Sequence, residues 1–504
     1  MTVNKISMYK KALVFCLALS LNIGAQNKPQ TIKKKYDDSW ESIRAGYKVP
    51  EWFKDAKFGI FLHWGPYAVP AYSSEKFPKG IYDQKWNKGG MNPYSYHREH
   101  YGDPSKFGYK DFIPMFKAEK FDAEEWIALF KKSGARYVVP VGEHHDGYAM
   151  YNSKVTRWNV VETGPKKDVM KMLADACKTQ GLKFGMSSHF AYNRLYYYKN
   201  DPTWDTNDPR YFDLYGEPVE PGAAPTKQYL NLWWNRTTDI IDNYKPDLLW
   251  FDYGLDDAGF EPVHKKILSY YYNKGEEWNK EVVFQDKNMK YPSFPEDLIV
   301  LDLERGRMDN INKYPWQTDT SIGKISWGYI DNEEYKTADY LLDELIDIVS
   351  KNGCLLLNIG PKADGTIPDP AKKILATMGE WLSVNDEVIF NTRPWKIYGE
   401  GPTKVDKGNH TEKNNKDAGF EDIRFTTNGD VLYATALGWS KDGVFNIKSL
   451  ATNNEYDKRK VESVTFVSGK NKLDWKQSAS GLKITVKGNK PCEEAFAFKI
   501  KFKK

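Results

Sequence analysis

The chain has 504 residues, 40% hydrophobic and 28% charged, with a formal net charge of +5. That length and apolar fraction specify a large globular domain plus a smaller one and exclude a disordered chain. Lysines and acids are interspersed without a basic stripe, so nucleic acid is not an expected partner.

Taken in chain order, the first feature is a processing pattern. Lys5, Lys10 and Lys11 precede the apolar run "ALVFCLALSLNIGA", and small Ala25 stands before Gln26. This reads as a secretory signal peptide over residues 1–25, with an uncleaved anchor as the alternative; the expected location is secreted or periplasmic, with no membrane partner after cleavage. The run Lys33–Lys35 reads as a solvated tail. Short apolar runs then recur: "KFGIFLHW" (57–64), "ARYVVPV" (135–141), "LKFGMSSH" (182–189), "DLLWFD" (247–252), "EVVFQDK" (281–287), "LIVLDLE" (298–304) and "CLLLNIG" (354–360). Amphipathic helical patterns at 123–134, 168–181, 229–244 and 337–353 separate several of them, and Gly134, Gly181 and Gly353 close three as expected C-caps. Apolar strands alternating with helices predict a parallel sheet. Seven or eight such units predict a (β/α)8-like TIM barrel over residues 36–392, with a doubly wound sheet as the alternative. From about residue 393 the pattern changes to period-two alternation between turns such as Asn428-Gly429, which predicts an all-β sandwich over 393–504. Residues 401–418 read as a long polar loop, and the sandwich as a brace for the barrel. "NRT" at Asn235 and "NHT" at Asn409 match glycosylation acceptors.

Active sites of such barrels form at the C-terminal ends of the strands. His63 and Trp64 end the first run. Glu143, His144, His145 and Asp146 follow the second, and Ser187, Ser188 and His189 end the third. Trp250 and Asp252 end the fourth, Asp286 and Lys287 the fifth, and Asp302 and Glu304 the sixth. An acid at the end of a buried strand is costly unless it has work to do. Asp252 and Glu304 together make the carboxylate pair that a retaining glycosidase needs. The blander alternatives are that Asp252 caps a helix and that Glu304 pairs with Arg305 or Arg307. Asp256 and Asp257 read as ordinary loop charges. There is no CxxC or HExxH pattern, and no metal or other cofactor is expected; His144, His145 and Asp146 are the metal alternative. Three cysteines follow the leader, too few and too scattered for a disulfide framework, and Cys354 reads as a buried small hydrophobe.

Several long stretches resemble the α-L-fucosidases of glycoside hydrolase family 29. They are "EWFKDAKFGIFLHWGPYAVPAYSSE", "GARYVVPVGEHHDGYAMYNSKVTRWN", "YKPDLLWFD", "PWQTDTSIGKISWGY" and "LLLNIGPKADGTIPD", in order from about residue 36 to residue 397. The resemblance implies a retaining mechanism, with Asp252 as nucleophile and Glu304 as acid/base. It implies fucose contacts from His63, Trp64, His144, His145, Trp250, Lys287 and Trp316. Glu75 is a candidate sugar contact, with Tyr96 as the alternative at that place. The family's frequent Tyr near strand three gives way to "SSH", with His189 nearby; Lys287 stands where an Arg is common, and Gln317 where a Glu is frequent. The expected substrate is a terminal α-L-fucosyl residue on an oligosaccharide or polysaccharide. A non-catalytic fucose-binding protein is the alternative.

Overall fold

Eight parallel strands close into a barrel in chain order, with β8 returning to β1. They are β1 Phe58–Leu62, β2 Tyr137–Glu143, β3 Lys183–Ser188, β4 Leu248–Phe251, β5 Val283–Asp286, β6 Val300–Glu304, β7 Trp316–Ser321 and β8 Gly353–Ile359. The computed structural model describes residues 34–220, 222–287, 293–467, 469, 473–488 and 490–503. The expected signal peptide and Lys33 lie outside the described residues. Among the described residues no helix is long and apolar enough to cross a membrane.

Closure is the expected architecture and leaves no place for a doubly wound sheet. Seven strands coincide with the apolar runs. The eighth, β7, has the sequence WQTDTS and does not read as an apolar strand, because polar side chains from it join a buried network. Gln317 donates to Asp302 Oδ2 at 2.6 Å and to Gln285 Oε1 at 3.1 Å, and it accepts from the Tyr137 hydroxyl at 2.7 Å. Buried polar groups are tolerated where they are paired in this way.

The helices cover the barrel as the amphipathic patterns require. Asp122, Asp168 and Thr337 cap the helices Ala123–Lys132, Val169–Gln180 and Ala338–Ser350 through side-chain oxygens. Gly181 takes the left-handed cap position at φ 77°. Gly353 does not: Asn352 supplies the left-handed turn at φ 74°, and Gly353 already belongs to β8. Cys177 and Cys354 are free and buried.

One buried ion pair fixes the rim where β2 and β3 end. Arg236, on the helix Lys227–Tyr244, donates to Glu143 Oε2 at 2.7 Å with both side chains almost wholly buried. Glu143 also accepts from Ser188 Oγ at 2.7 Å. Removing one partner strands the other charge in the core. Arg236→Met is therefore expected to lower the unfolding free energy by about 3–5 kcal/mol in a urea titration. A loss well under 1 kcal/mol would show that the pair is not the rim's clamp.

Antiparallel strands begin with β9 Arg393–Glu400. With β10 Ile423–Asn428, β11 Val431–Ala436, β12 Val444–Ile447, β13 Val461–Phe466, β14 Leu473–Ser478, β15 Gly481–Val486 and β16 Phe496–Phe502, they form a five-stranded sheet in the order β13-β16-β11-β10-β9 and a three-stranded sheet in the order β12-β15-β14. The two sheets enclose their own apolar core, which includes Phe425, Phe445, Phe496 and Phe498. The sandwich is joined to the barrel by charge as well as packing. Arg424 of β10 (Ile423–Asn428) pairs with Asp347 at 2.5 Å, and Lys351 reaches the same carboxylate at 2.8 Å. Barrel and sandwich fall within one compact unit, Tyr36–Lys504.

The 401–418 segment is more than a polar loop, because it is strapped to the end of β6. Glu304 donates its backbone N–H to Asn409 Oδ1 at 2.7 Å. In return His410 donates to the Glu304 carbonyl at 2.7 Å and Glu412 to that of Arg305 at 2.9 Å. Gly306 permits this approach, since a Cβ there would lie 1.8 Å from the Gly408 carbonyl oxygen.

Candidate active site

Asp252 follows the last residue of β4 and is buried in the barrel mouth. Its Oδ2 faces His145 Nε2 and His189 Nδ1, each at 3.1 Å, and its Oδ1 lies 3.0 Å from the Lys287 ammonium. Burial alone would raise this carboxyl. Lys287 and the two imidazoles outweigh burial and hold it well below the usual carboxylate range. Asp252 is thus a buried carboxylate kept ionised.

Lys287, just past β5, is the hub. It also touches Glu304 Oε2 at 2.6 Å and Asp319 Oδ2 at 3.5 Å, and it stands 5.0 Å from the centre of the Trp250 ring. Burial would strip its proton, but Asp252 and the other acids around it keep it charged far beyond its ordinary range. Two oxygens at 3.0 and 2.6 Å from one nitrogen can be no more than 5.6 Å apart, which bounds Asp252 Oδ1 to Glu304 Oε2.

Glu304 closes β6. Burial raises its carboxyl, yet the Lys287 ammonium prevails and leaves it below its ordinary value. His410 Nδ1 stands 4.0 Å from Glu304 Oε1. Beneath the hub, the Asp302 and Asp319 carboxyls act on each other, and each leaves its Oδ1 buried without a hydrogen-bond partner among the described residues. Burial raises both carboxyls, Asp319 well above its ordinary value.

A wall of imidazoles faces Asp252. His63 Nδ1 contacts Asn358 Oδ1 at 2.8 Å, and its ring centre lies 5.7 Å from that of His144 and 5.4 Å from that of His189. His145 Nδ1 meets the His189 carbonyl at 2.7 Å. Burial and mutual repulsion push His63 down to about 3 and His144 well below its usual range. Burial brings His189 to about 4 against the pull of Asp252. Neutral imidazoles offer one donor and one acceptor each, which suits hydroxyl groups. The two His144 nitrogens differ here: Nδ1 is buried with no hydrogen-bond partner among the described residues. Glu75 joins this wall from the loop after β1. Its Oε2 accepts from the Trp327 N–H at 3.0 Å and from Ser326 Oγ at 3.2 Å. Although burial opposes it, Lys88, Lys76 and that N–H bring its carboxyl to about 2.

Not every expected residue arrives. Trp316 opens β7 at the opposite end of the barrel from the rim, with its indole N–H on the Lys351 carbonyl at 2.9 Å. Trp64 follows His63 but turns outward. It packs 4.9 Å from Trp126 and donates to the Lys362 carbonyl at 2.8 Å. Neither lies in the pocket, because a strand sends neighbouring residues to opposite faces and a strand's first residue sits at the base. Tyr96 is stacked on Tyr72 at 3.9 Å and on His100 at 4.0 Å, so Glu75 rather than Tyr96 stands with the imidazoles. Asp256 is no ordinary loop charge: it is buried and accepts from the Gly254 N–H at 2.8 Å, which shapes the turn after Asp252. Asp257 accepts from Gly259 and pairs with Arg194 at 3.2 Å. Sequence reasoning missed Asp319, Asn358, Trp327 and the Asn409-His410 pair. Only the acid in "WQTDTS" carried a signal, a charge where the barrel alternation requires an inward residue.

The alternative metal set of His144, His145 and Asp146 does not assemble. Asp146 is turned away, bound by the Tyr109 hydroxyl at 2.5 Å and the Tyr148 N–H at 3.0 Å, and burial lifts it to about 6. Two other groups do bring ligand atoms within 4.8 Å of one another: His63, His144 and His189, and His145, His189 and Asp252. In the second, the Lys287 ammonium already stands against the carboxylate, so a divalent ion would meet an adjacent positive charge.

Residues 23–387 match the model of the alpha-L-fucosidase family, and residues 415–501 match that of the alpha-L-fucosidase C-terminal domain. The chain belongs to the alpha-L-fucosidase family. It is therefore grouped with glycoside hydrolases, on a shared barrel and sandwich. The tissue alpha-L-fucosidase of Rattus norvegicus is 29% identical over 92% of each chain. The plasma alpha-L-fucosidase of Homo sapiens is 32% identical over 73% of this chain and 75% of its own. A Thermotoga maritima alpha-fucosidase has been solved with fucose and with a mechanism based inhibitor. At 29–30% identity, both structures superpose with a TM-score of 0.71 over 92% of this chain and 99% of theirs.

Proposed function

We propose that this member of the alpha-L-fucosidase family is a secreted, exo-acting, retaining α-L-fucosidase that removes terminal α-L-fucosyl residues from glycans. The observation that carries the retaining mechanism is the bound of 5.6 Å between the Asp252 and Glu304 oxygens. Retaining glycosidases hold their carboxyls about 5–5.5 Å apart, whereas inverting enzymes need about 6.5–9.5 Å to admit a water. Asp252, held ionised, attacks the anomeric carbon, and the glycosyl-enzyme ester forms as the bond to the leaving oxygen breaks. Glu304 gives that oxygen its proton, then takes one from the water that hydrolyses the ester.

The resting site has Glu304 ionised against Lys287, and a general acid must carry a proton. Substrate entering between the carboxyls separates the 2.6 Å contact, because the leaving oxygen needs the same edge of Glu304. Without that contact, burial and the Asp252 charge both raise the Glu304 carboxyl, the direction an acid requires. The imidazoles of His63, His144 and His145, with Glu75, hold the ring hydroxyls, and Trp250 lines the sugar face.

A panel of α-L-fucosides tests this. In Glu304→Gln, hydrolysis of fucosides with poor leaving groups is expected to fall by about 10²–10⁴. Activated aryl fucosides, which need no proton, should lose far less in the first step. Equal losses on both kinds would reject Glu304 as the acid. Fucose binding without turnover on every fucoside would favour a non-catalytic fucose-binding protein.

A further inference from the structure

Next to the Glu304 side of the pocket lies a cleft of about 900 Å³ between the barrel rim and the 401–418 segment. Trp327 links the two spaces, with its ring centre 5.2 Å from that of His63 and 4.8 Å from the Arg305 guanidinium in the cleft. His410 stands on the facing wall beside the Glu304 carboxyl. The cleft thus lies beside the acid/base carboxyl, with His410 and Arg305 between them.

The cleft is lined by eight Lys and Arg residues against four Asp and Glu. Some of that charge is spent internally. Arg307 and Arg424 are neutralised by Glu344 and Asp347, and Lys336 by Glu412. Lys413 and Lys416 have no carboxylate partner among the described residues, and Arg305 has only Glu412 at 3.7 Å, which Lys336 already shares; Lys88 makes no direct ion pair among the described residues, though its charge acts on the buried Glu75 carboxyl. The opposing charge is weaker than its count. Burial, with Asp339 nearby, pushes Asp343 up to about 8, so it is largely neutral near pH 7. Beneath the floor, Arg307 Nε, on a side chain more than nine-tenths buried, and Asp343 Oδ1 have no hydrogen-bond partner among the described residues. A solvated seam between two modules does not require an excess of unpaired cations beside an aromatic wall and a catalytic carboxyl. A receptor for a charged sugar does.

We propose that this cleft is the leaving-group subsite and that it selects an anionic sugar, one bearing a sulfate ester or a carboxylate, through Lys88, Arg305, Lys413 and Lys416. The inference rests on the fucosidase reading for what the cleft adjoins. Sulfate and carboxylate share the chemistry that the cleft recognises, a delocalised oxyanion on a pyranose, and the experiment separates them.

Matched α-L-fucosyl oligosaccharides, whose penultimate sugar is neutral, sulfated or a uronic acid, are compared by kcat/KM. At low ionic strength at least one anionic substrate is expected to exceed the neutral one by about tenfold, the scale of two exposed charge contacts. That ratio should shrink as salt is added. It should approach one in Lys413→Gln/Lys416→Gln and survive in Lys413→Arg/Lys416→Arg. A wild-type ratio of one, or a ratio indifferent to salt and to the glutamine pair, overturns the proposal. Calorimetric titration of the intact protein with fucose-free sulfated, uronic and neutral disaccharides reads the cleft without turnover. Binding of an anionic disaccharide that the glutamine pair abolishes, in a protein that releases no fucose from any substrate, would reject the fucosidase reading and sustain the subsite. Equal or absent binding of all three disaccharides, together with normal fucose release, would reject the subsite and sustain the fucosidase.

Discussion

Asp252→Asn is expected to lower kcat on an aryl α-L-fucoside by a factor on the order of 10⁴–10⁶, the range seen when a covalent nucleophile or its partner is removed. Asparagine keeps the shape and can still bond the imidazoles of His145 and His189, so the loss reports the missing nucleophile rather than a collapsed pocket. Azide provides the sharper test. In Asp252→Gly it can enter the space that the carboxylate vacates, restore turnover and leave as β-fucosyl azide, because it attacks from the face that Asp252 occupies. No azide product, or an α-configured one, would place the nucleophile elsewhere. Unchanged activity would remove Asp252 from the chemistry altogether.

Lys287→Met should have the next largest effect, a loss on the order of 10²–10³ in kcat/KM, as when one preorganised electrostatic contact is deleted. The pH profile separates this role from mere packing. Lys287 lowers both Asp252 and Glu304, so removing its charge raises both. Asp252 must be ionised to attack, and a higher value moves the acidic limb of kcat/KM to higher pH. Glu304 must be protonated to give its proton, and a higher value moves the basic limb the same way. The whole bell is therefore expected to move upward by about 1–3 pH units, the span that one nearby opposite charge commands. The limbs belong to a coupled group of acids rather than to single residues, so the direction of the shift is the test. A narrower bell centred where the wild type has it would show that Lys287 acts by shape alone. Lys287→Arg should keep the position of the bell.

The barrel was legible because its strands are apolar on both faces and its helices amphipathic, patterns set by burial. β7 was not, because its inward residues build the Tyr137–Gln317–Asp302 network and read as polar. Asp252 was legible for the opposite reason: a charge at the end of an apolar run has no bland explanation as economical as function. Trp64 and Trp316 show where motif reading stops. Each adjoins a meaningful stretch, yet side-chain direction, which alternates along a strand, decides what enters the pocket. Lys287 was named as a sugar contact, but its place between Asp252, Glu304 and Asp319 could not be read from "QDK", since those partners come from three other strand ends. The Asn409–Glu304 bond joins residues 105 positions apart, beyond the reach of any local pattern.

That bond has a consequence for how such a protein can diversify. The Asn409 side-chain oxygen that accepts from the Glu304 N–H and the imidazole beside its carboxyl come from the segment between β9 and β10 of the sandwich, so the barrel alone does not encode a finished site. Recombination that exchanged only the C-terminal third between related genes would alter the tether of the acid/base carboxyl and one bank of the leaving-group cleft together, while the imidazole wall and Asp252 passed through unchanged. Part of the choice of leaving partner, through Lys413 and Lys416, is thus carried on a stretch of the gene separable from the one that carries the choice of terminal sugar. The two can drift at different rates, provided the strap over Gly306 still fits.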